Sequence, residues 1–434
     1  MNQRQTLKSK KIKPISGPLH SRVHIPGSKS LTNRALFIAA LADGSTSINN
    51  ALFSEDTYYF ANALQTLGFN VSLAPEKSRM MIIGLGGHIP AQHAELFIGN
   101  AGTAARFLTA FLTLGAGNFS IDGDARMRKR PIGDLVDSLN QLGAQVRTQN
   151  NQETLQHLPL SLRAAGLAGG KTTLAGDISS QYLSALLMVA PCAKNPVEIE
   201  ITTELYSKPY VDMTIAIMSD FGVSVQREGY KKFTIQPGSF QPRSHYAIET
   251  DASAASYFFA AAAVCGGTVR VENVSRRSVQ GDIRFLDLLK EMGCEVVQSE
   301  DCIEVSGPSR ISGVDADMSD ISDTAQTLAV VAPFATSPTR IRGIGSARFK
   351  ETDRISATCT ELQKIGVRVD EHKDGMTIYP CPEFRAANVQ TYNDHRMAMA
   401  FSLIGLRVPG IVIEDPGCVS KTFPTFFDVL DTLR

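Results

Sequence analysis

Five times along the chain an amphipathic stretch ends at a glycine and passes directly into a strand-like run: "ALQTLGFNVSL", "SLNQLGAQV", "IMSDFGVSV", "LLKEMGCEVV" and "LQKIGVRV". The glycines are Gly68, Gly143, Gly222, Gly293 and Gly366, roughly 70 to 80 residues apart, a far longer period than a solenoid has. The physical reading is a helix, a glycine just past its end in the left-handed conformation that other residues avoid, and then a strand.

A second element recurs at the same period. A polar loop opens an alanine-rich apolar helix that stops at a Gly/Pro turn and a strand. Its six instances begin "GSKSLTNRALFIAAL", "GNAGTAARFLTAFL", "GDISSQYLSALLMVAP", "TDASAASYFFAAAAVC", "SDTAQTLAVVAPF" and "YNDHRMAMAFSLIG". A helix apolar nearly all round, as "ASYFFAAAAV" is, has to be buried. The expectation is an α/β protein of six units, each roughly strand–helix–strand–helix–strand. Six buried helices wrapped by sheets imply two domains of three units each. The break is expected near "QPRSHYAIETD", where Pro242 interrupts the chain.

At 434 residues the chain exceeds one ordinary domain. Its formal net charge is zero, so bulk electrostatics give no case for nucleic acid or an anionic membrane. No apolar run approaches the roughly 20 residues of a membrane span. The opening "MNQRQTLKSKKIKPIS" is basic but has no apolar core, so it reads as a frayed tail and not as a secretory signal. The seven cysteines show no CxxC pair, and the eight histidines are dispersed, with no HxH pair and a single HxxxH spacing at His20 and His24. That pattern argues for a reducing cytosol and against disulfides or a metal site.

Loops that open helices are natural anion sites, because unpaired N–H groups and the helix dipole point out of them. The first opening carries Lys29, Ser30 and Arg34, and the second Asn100, Gly102, Thr103 and Arg106. The third carries Ser179, Ser180 and Gln181, and the fourth Asp251, Ser253 and Ser256. The fifth has Asp323, and the sixth Asn393, Asp394, His395 and Arg396. Between them lie Arg130 in "RMRKRPIGDLV", Ser207 and Tyr210 in "LYSKPY", and Lys421 in "KTFP". "KETDR" crowds Lys350, Glu351, Asp353 and Arg354 into five positions. Hydroxyls, amides and cations are the groups that hold phosphates and carboxylates.

Each piece alone has a plainer reading. "GSKS" lacks the upstream GxxxxGK spacing of a phosphate loop. "SSQ" and Asp251 with its serines read as helix caps. "NDHR" reads equally as a capped helix with a surface ion pair. Arg106, in the first turn of a helix, opposes the dipole and needs a partner. Recurrence at equivalent positions changes the balance. Gathered in one cleft, the cations would repel, at about 4 kcal/mol for two charges 4 Å apart at an effective dielectric of 20. Such a cleft has to stay open and wet until anions enter it.

At this point the motifs resemble a family. "IPGSKS", "NAGTA", "RPIGDLVD", "SSQYLSALLMVAP", "SKPYVDMT", "KETDRI", "YNDHRMAMAFSL" and "KTFP" follow the order and spacing of 5-enolpyruvylshikimate-3-phosphate synthases over essentially the whole length. The resemblance implies two inside-out α/β domains, each a threefold βαβαββ repeat around buried helices. It places residues 27–248 in one domain and residues 1–26 with 249–434 in the other, with the active site in the cleft between them. It implies transfer of the enolpyruvyl group of phosphoenolpyruvate to the 5-hydroxyl of shikimate 3-phosphate with loss of phosphate. The route is addition and elimination through a tetrahedral ketal. It implies no cofactor, no metal, no nucleic-acid or membrane partner, and a cytoplasmic monomer acting on these small molecules in aromatic amino acid biosynthesis.

Carried over by motif, Ser179, Ser180 and Ser207 hold the shikimate phosphate with Lys350. Arg34 meets the shikimate carboxylate beside Tyr210. Lys29, Ser30, Gln181, Asp323 and Ser346 complete that subsite. The phosphoenolpyruvate phosphate is implied to meet Lys29, Arg130, Gln181, Lys421 and the Gly102 backbone, near Asn100 and Thr103. Its carboxylate is implied to meet Arg354 and Arg396, with His395 and Glu351 beside them. Asp323 is the implied base and Glu351 or Lys350 the acid, with Lys29 as a further catalytic cation; Asp353 caps or orients its neighbours.

Two positions depart from the family pattern: Ser346 stands where Asn is usual, and Phe107 where Pro is usual in this class. Phe107 lies next to the site that glyphosate occupies in the family, and sensitivity to that inhibitor is expected. The nearest alternative, a UDP-N-acetylglucosamine enolpyruvyl transferase, uses a loop Cys, and no Cys lies between Met1 and Ala190. A non-catalytic sugar-phosphate sensor on the same scaffold would be expected to lose Asp323, Glu351 or Lys421, and all three are present.

Overall fold

The computed structural model describes residues 8–148 and 156–433. The frayed-tail reading of residues 1–16 is corrected in its later part, where Ser9–Lys11 is a strand paired with Val412–Glu414 and Ile12 is buried; residues 1–7 lie outside the described residues. By its internal contacts the chain divides into two units, Gly27–Glu249 and a second formed by the segments up to Pro26 and from Thr250 onward. Each unit has its own apolar core.

Each core is built on three of the alanine-rich helices. In the unit Gly27–Glu249 these are Lys29–Leu41, Gly102–Leu112 and Ser180–Val189. In the other they are Ala252–Cys265, Ala325–Val331 and His395–Gly405. Every residue of Ala252–Cys265 is buried, as its apolar circumference requires. Around these helices lie sheets, half-covered on one face, and a second set of amphipathic helices such as Glu55–Thr66 and Lys208–Asp220 that pack against the core helices. That is the inside-out order expected of the repeat.

The described residues form five four-stranded sheets and one three-stranded sheet. In one of them His93–Phe97 runs parallel to Ala116–Asp122, joined through the buried helix Gly102–Leu112. The outer helix Gly133–Gln141 then leads to the antiparallel strands Val146–Thr148 and Leu160–Ala165. This is one βαβαββ unit. Leu160–Ala165 alternates buried and exposed residues, the period of a half-covered strand.

Each glycine of the repeat lies just past an outer helix with positive φ: Gly68 93°, Gly143 92°, Gly222 85°, Gly293 102° and Gly366 93°. Each helix end is closed by the same two bonds. At the first, Gly68 N donates to Gln65 O and Phe69 N to Leu64 O; at the last, Gly366 N donates to Gln363 O and Val367 N to Leu362 O. These bonds satisfy carbonyls that the helix end leaves bare. Five glycine motifs correspond to five four-stranded sheets. The sixth unit lacks the motif, and its sheet has three strands. There Asn388–Val389 runs parallel to Val412–Glu414, and Ser9–Lys11 pairs antiparallel with Val412–Glu414.

Candidate active site

The unit Gly27–Glu249 gathers cations and hydroxyls at the openings of its core helices. Ser28 caps the first helix, accepting from Leu31 N at 3.5 Å. Lys29 follows it, and its Nζ lies 3.2 Å from the buried carboxylate of Asp56. Arg34, one turn deeper, is 2% exposed. Its Nε donates to Thr214 Oγ1 at 2.7 Å, and its Nη2 to Ser184 Oγ at 3.1 Å and Tyr210 O at 3.3 Å. Its Nη1 donates to Ser30 O at 3.1 Å. Among the described residues its hydrogen bonds go to hydroxyls and carbonyls, and to no carboxylate. Burial lowers this guanidinium to about 10. A buried cation with neutral partners is costly unless an anion comes to it.

The second helix opens on "NAGTA". Arg130 Nη1 donates to Asn100 Oδ1 at 3.0 Å and Asn100 O at 3.2 Å. A Cβ at Gly102 would lie 2.5 Å from Arg130 Nη2, so only glycine leaves room for the guanidinium against the helix opening. Arg106 turns to the backbone, donating to Pro131 O at 2.7 Å and Gly102 O at 3.2 Å. Those carbonyls are the partners its position required. Gln181 Nε2 donates to Thr103 Oγ1 at 3.2 Å, which ties the second and third openings together. Ser179 caps the third helix by accepting from Gln181 N, and Ser180 beside it is buried. Ser207 begins the helix Lys208–Asp220 with φ 57° and ψ 41°. A left-handed serine costs roughly 1–3 kcal/mol, a strain that collects at functional positions.

The other unit gathers charges of both signs. Asp323 accepts from Lys350 Nζ at 2.5 Å, Arg396 Nη2 at 2.7 Å and Arg354 Nη1 at 3.1 Å. Burial works to raise its carboxyl, but Arg396, Lys350 and Arg354 outweigh it and hold the group well below the usual carboxylate range. Lys350 Nζ also donates to Ser322 Oγ at 3.0 Å. Burial lowers this ammonium, against the pull of Asp323 and with the push of Arg354 and Arg396. Arg354 donates from Nε to Asp394 Oδ2 at 2.7 Å, and from Nη2 to Glu351 Oε2 at 2.8 Å. Asp394 caps its helix by accepting from Arg396 N at 2.9 Å, and His395 Nδ1 lies 3.5 Å from Asp394 Oδ1. Arg396 Nη1 donates to Tyr257 Oη at 3.4 Å; burial pushes that phenol up to about 12.

The three cations Lys350, Arg354 and Arg396 therefore face three carboxylates, Asp323, Glu351 and Asp394. Lys421 is buried at the end of the 3-10 turn Pro416–Lys421. Ser346 is half-buried in the turn Gly345–Phe349, just before Lys350. Asp353 caps the helix Arg354–Lys364 through Ser356 N at 3.1 Å and pairs with Arg348 at 2.8 Å. Asp251 likewise caps its helix through Ala254 N, Ser253 Oγ donates to Asp282, and Ser256 Oγ meets Thr327 Oγ1. That opening is spent on structure.

Sequence reasoning missed Asp56, Thr214 and Ser184 as partners of Lys29 and Arg34, and Asp394 as the bidentate partner of Arg354. Only for Asp394 was there a signal, its place in "NDHR".

The EPSP synthase (3-phosphoshikimate 1-carboxyvinyltransferase) family model matches residues 13–430. The chain is 49% identical over 416 residues to the 3-phosphoshikimate 1-carboxyvinyltransferase of Trichormus variabilis, covering 96% of this chain and 97% of that one. To the enzyme of the same name from Shewanella pealeana it is 47% identical over 435 residues, covering both in full. An EPSP synthase structure from Acinetobacter baumannii superposes with a TM-score of 0.80 at 26% identity, covering 97% of each chain. The chain belongs to the EPSP synthase family.

Proposed function

We propose that this chain transfers the carboxyvinyl group of phosphoenolpyruvate to the 5-hydroxyl of shikimate 3-phosphate and releases phosphate. The observation that carries the proposal is Arg34, a buried guanidinium whose partners are all neutral, beside hydroxyl-rich helix openings. A small carboxylate is the charge it lacks. In this reading the shikimate carboxylate takes Arg34 beside Tyr210 and Ser30. The shikimate phosphate takes Ser179, Ser180, Ser207 and Lys350, and Gln181 and Ser346 line the ring. The phosphoenolpyruvate phosphate takes Lys29, Arg130, Lys421 and the Gly102 N–H, next to Asn100 and Thr103. Its carboxylate takes Arg396 and the Nη1 edge of Arg354, displacing Asp323 from both, with His395 alongside.

That displacement frees Asp323 for chemistry. Glu351 or Lys350 gives a proton to the methylene carbon of phosphoenolpyruvate, and positive character develops at the adjacent carbon. The 5-hydroxyl oxygen attacks that carbon and its proton passes to Asp323. The ketal then loses phosphate from the same carbon, while a proton from the new methyl group returns to the group that gave it, Glu351 or Lys350, and the double bond is restored. Lys29 and Arg396 balance charge as the phosphate leaves.

The seven cysteines are all free thiols, which supports a reducing compartment and the cytoplasm. The enzyme is taken to act as a monomer; size-exclusion chromatography should report a mass near 46.9 kDa. The functional test is phosphate release. Phosphoenolpyruvate with shikimate 3-phosphate should liberate phosphate, and phosphoenolpyruvate with UDP-N-acetylglucosamine should not. Release with the second acceptor alone would overturn the proposal.

A further inference from the structure

Gln326 is 3% exposed, and neither its Oε1 nor its Nε2 has a hydrogen-bond partner among the described residues. Buried carboxamides are nearly always satisfied, so an orphan asks for an explanation. The repeat supplies the local reason. In each unit one such contact is seen between the fifth residue after one helix opening and the sixth after a neighbouring opening, the opening before Ala325–Val331 being counted from Ile321, which caps the 3-10 turn leading into it. Arg34, sixth after Ser28, donates to Ser184, fifth after Ser179, at 3.1 Å. Thr327, sixth after Ile321, lies 3.2 Å from Ser256, fifth after Asp251. Gln326 is the fifth residue after Ile321, and the matching sixth residue after Asp394 is Ala400, which offers no polar group. The equivalent orphan in the other unit is Asn33, fully buried and also without side-chain partners among the described residues, whose matching residue is Phe107.

The place of Gln326 is specific. It lies three residues beyond Asp323, and helical side chains lean back toward the preceding turn. Ala400 lies one turn beyond Arg396 on the helix His395–Gly405. By spacing, Gln326 follows Asp323 by one helical turn, and Asp323 is paired with Arg396 at an Nη2–Oδ2 distance of 2.7 Å.

We propose that Gln326 is a positioning residue: its Nε2–H takes over as a donor to the Asp323 carboxylate when a substrate anion draws Arg396 and Lys350 away. This rests on the functional reading above. In the unliganded unit Asp323 is held by the cations and the amide is idle. In the substrate complex the amide keeps the carboxylate ionised and aimed at the hydroxyl.

The test is Gln326→Met, a change of similar shape that removes the orphan polar atoms. Steady-state phosphate release from phosphoenolpyruvate and shikimate 3-phosphate is measured with Tm, in the wild type, in the variant, and with each in an Asp323→Asn background. The expected result is a kcat at least fivefold lower, both KM values within twofold, an unchanged or higher Tm, and no further loss from the change when Asp323 is already Asn. A kcat within twofold of wild type overturns the proposal. So does a kcat loss that comes with a Tm fall of more than 5 °C, or one that persists undiminished in the Asp323→Asn background. An inactive wild type would overturn the functional reading instead.

Discussion

Replacing Asp323 with Asn separates the two jobs that its carboxylate holds. The side chain is 20% exposed and accepts from Lys350, Arg354 and Arg396 at 2.5, 3.1 and 2.7 Å. The substitution keeps the volume and removes the charge, leaving three cations facing Glu351 and Asp394 alone. Removing one partner of a buried ion pair costs about 3–5 kcal/mol. At about 2–4 °C per kcal/mol for a unit near 200 residues, Tm should fall by roughly 6–20 °C at low salt. Inorganic phosphate should then restore more stability to the variant than to wild type, because no internal carboxylate competes for the cations. At 100 times its Kd, the ligand adds about 2.7 kcal/mol. The pH dependence has a definite sign. A carboxyl held below its unfolded value stabilises above that value and loses the contribution as pH falls through the folded one. The Tm difference should therefore be full near neutrality and shrink on acidification below about pH 4. Turnover should drop about 10²–10⁴-fold with loss of the base. Differential scanning fluorimetry across phosphate concentration, with a phosphate-release assay, reads both effects. Equal Tm values and equal phosphate responses would refute the view that Asp323 holds this cluster together.

Arg34→Met removes a buried cation that leaves no carboxylate stranded. Its Tm should fall by less than that of Arg354→Met, which abandons Asp323, Glu351 and Asp394, while KM for shikimate 3-phosphate rises about 10- to 100-fold; titration calorimetry and fluorimetry check both. Gly102→Ala puts a methyl group 2.5 Å from Arg130 Nη2 and must push the guanidinium off Asn100, so KM for phosphoenolpyruvate should rise about tenfold, with Tm little changed. Gly293→Ala has open space, its nearest neighbour being Pro308 Cγ at 3.8 Å, but it keeps φ at 102°. It should cost about 1–2 kcal/mol by chemical denaturation without changing turnover.

The parts of the fold that local chemistry governs were legible in advance. A glycine after an apolar-periodic stretch means a left-handed helix end, and all five such glycines have positive φ. Helices apolar on every side mean burial, and all six lie in the two cores. The three-stranded sheet was not foreseen, since all six units read alike: the sixth lacks the glycine motif, and its third strand, Ser9–Lys11, comes from the far end of the sequence. Less legible was which partner each charge takes. Arg354 pairs with Asp394 across 40 positions and Arg34 with Thr214 across 180. Such pairs are set by how helices meet, and side-chain spacing carries no trace of it. Arg106 shows the same limit: its position demanded a partner, and the partners turned out to be carbonyls. Gln326 and Asn33 drew no reading from the sequence; only their burial without side-chain partners among the described residues singles them out.

The most direct measurement of the central claim is the mass of the products formed in deuterated water from phosphoenolpyruvate and shikimate 3-phosphate. Protonation of the methylene carbon followed by elimination predicts one phosphate per acceptor consumed, an acceptor heavier by one carboxyvinyl group, and solvent deuterium in its vinyl carbon. Phosphate released without any heavier acceptor, or a carboxyvinyl product free of deuterium, would contradict it.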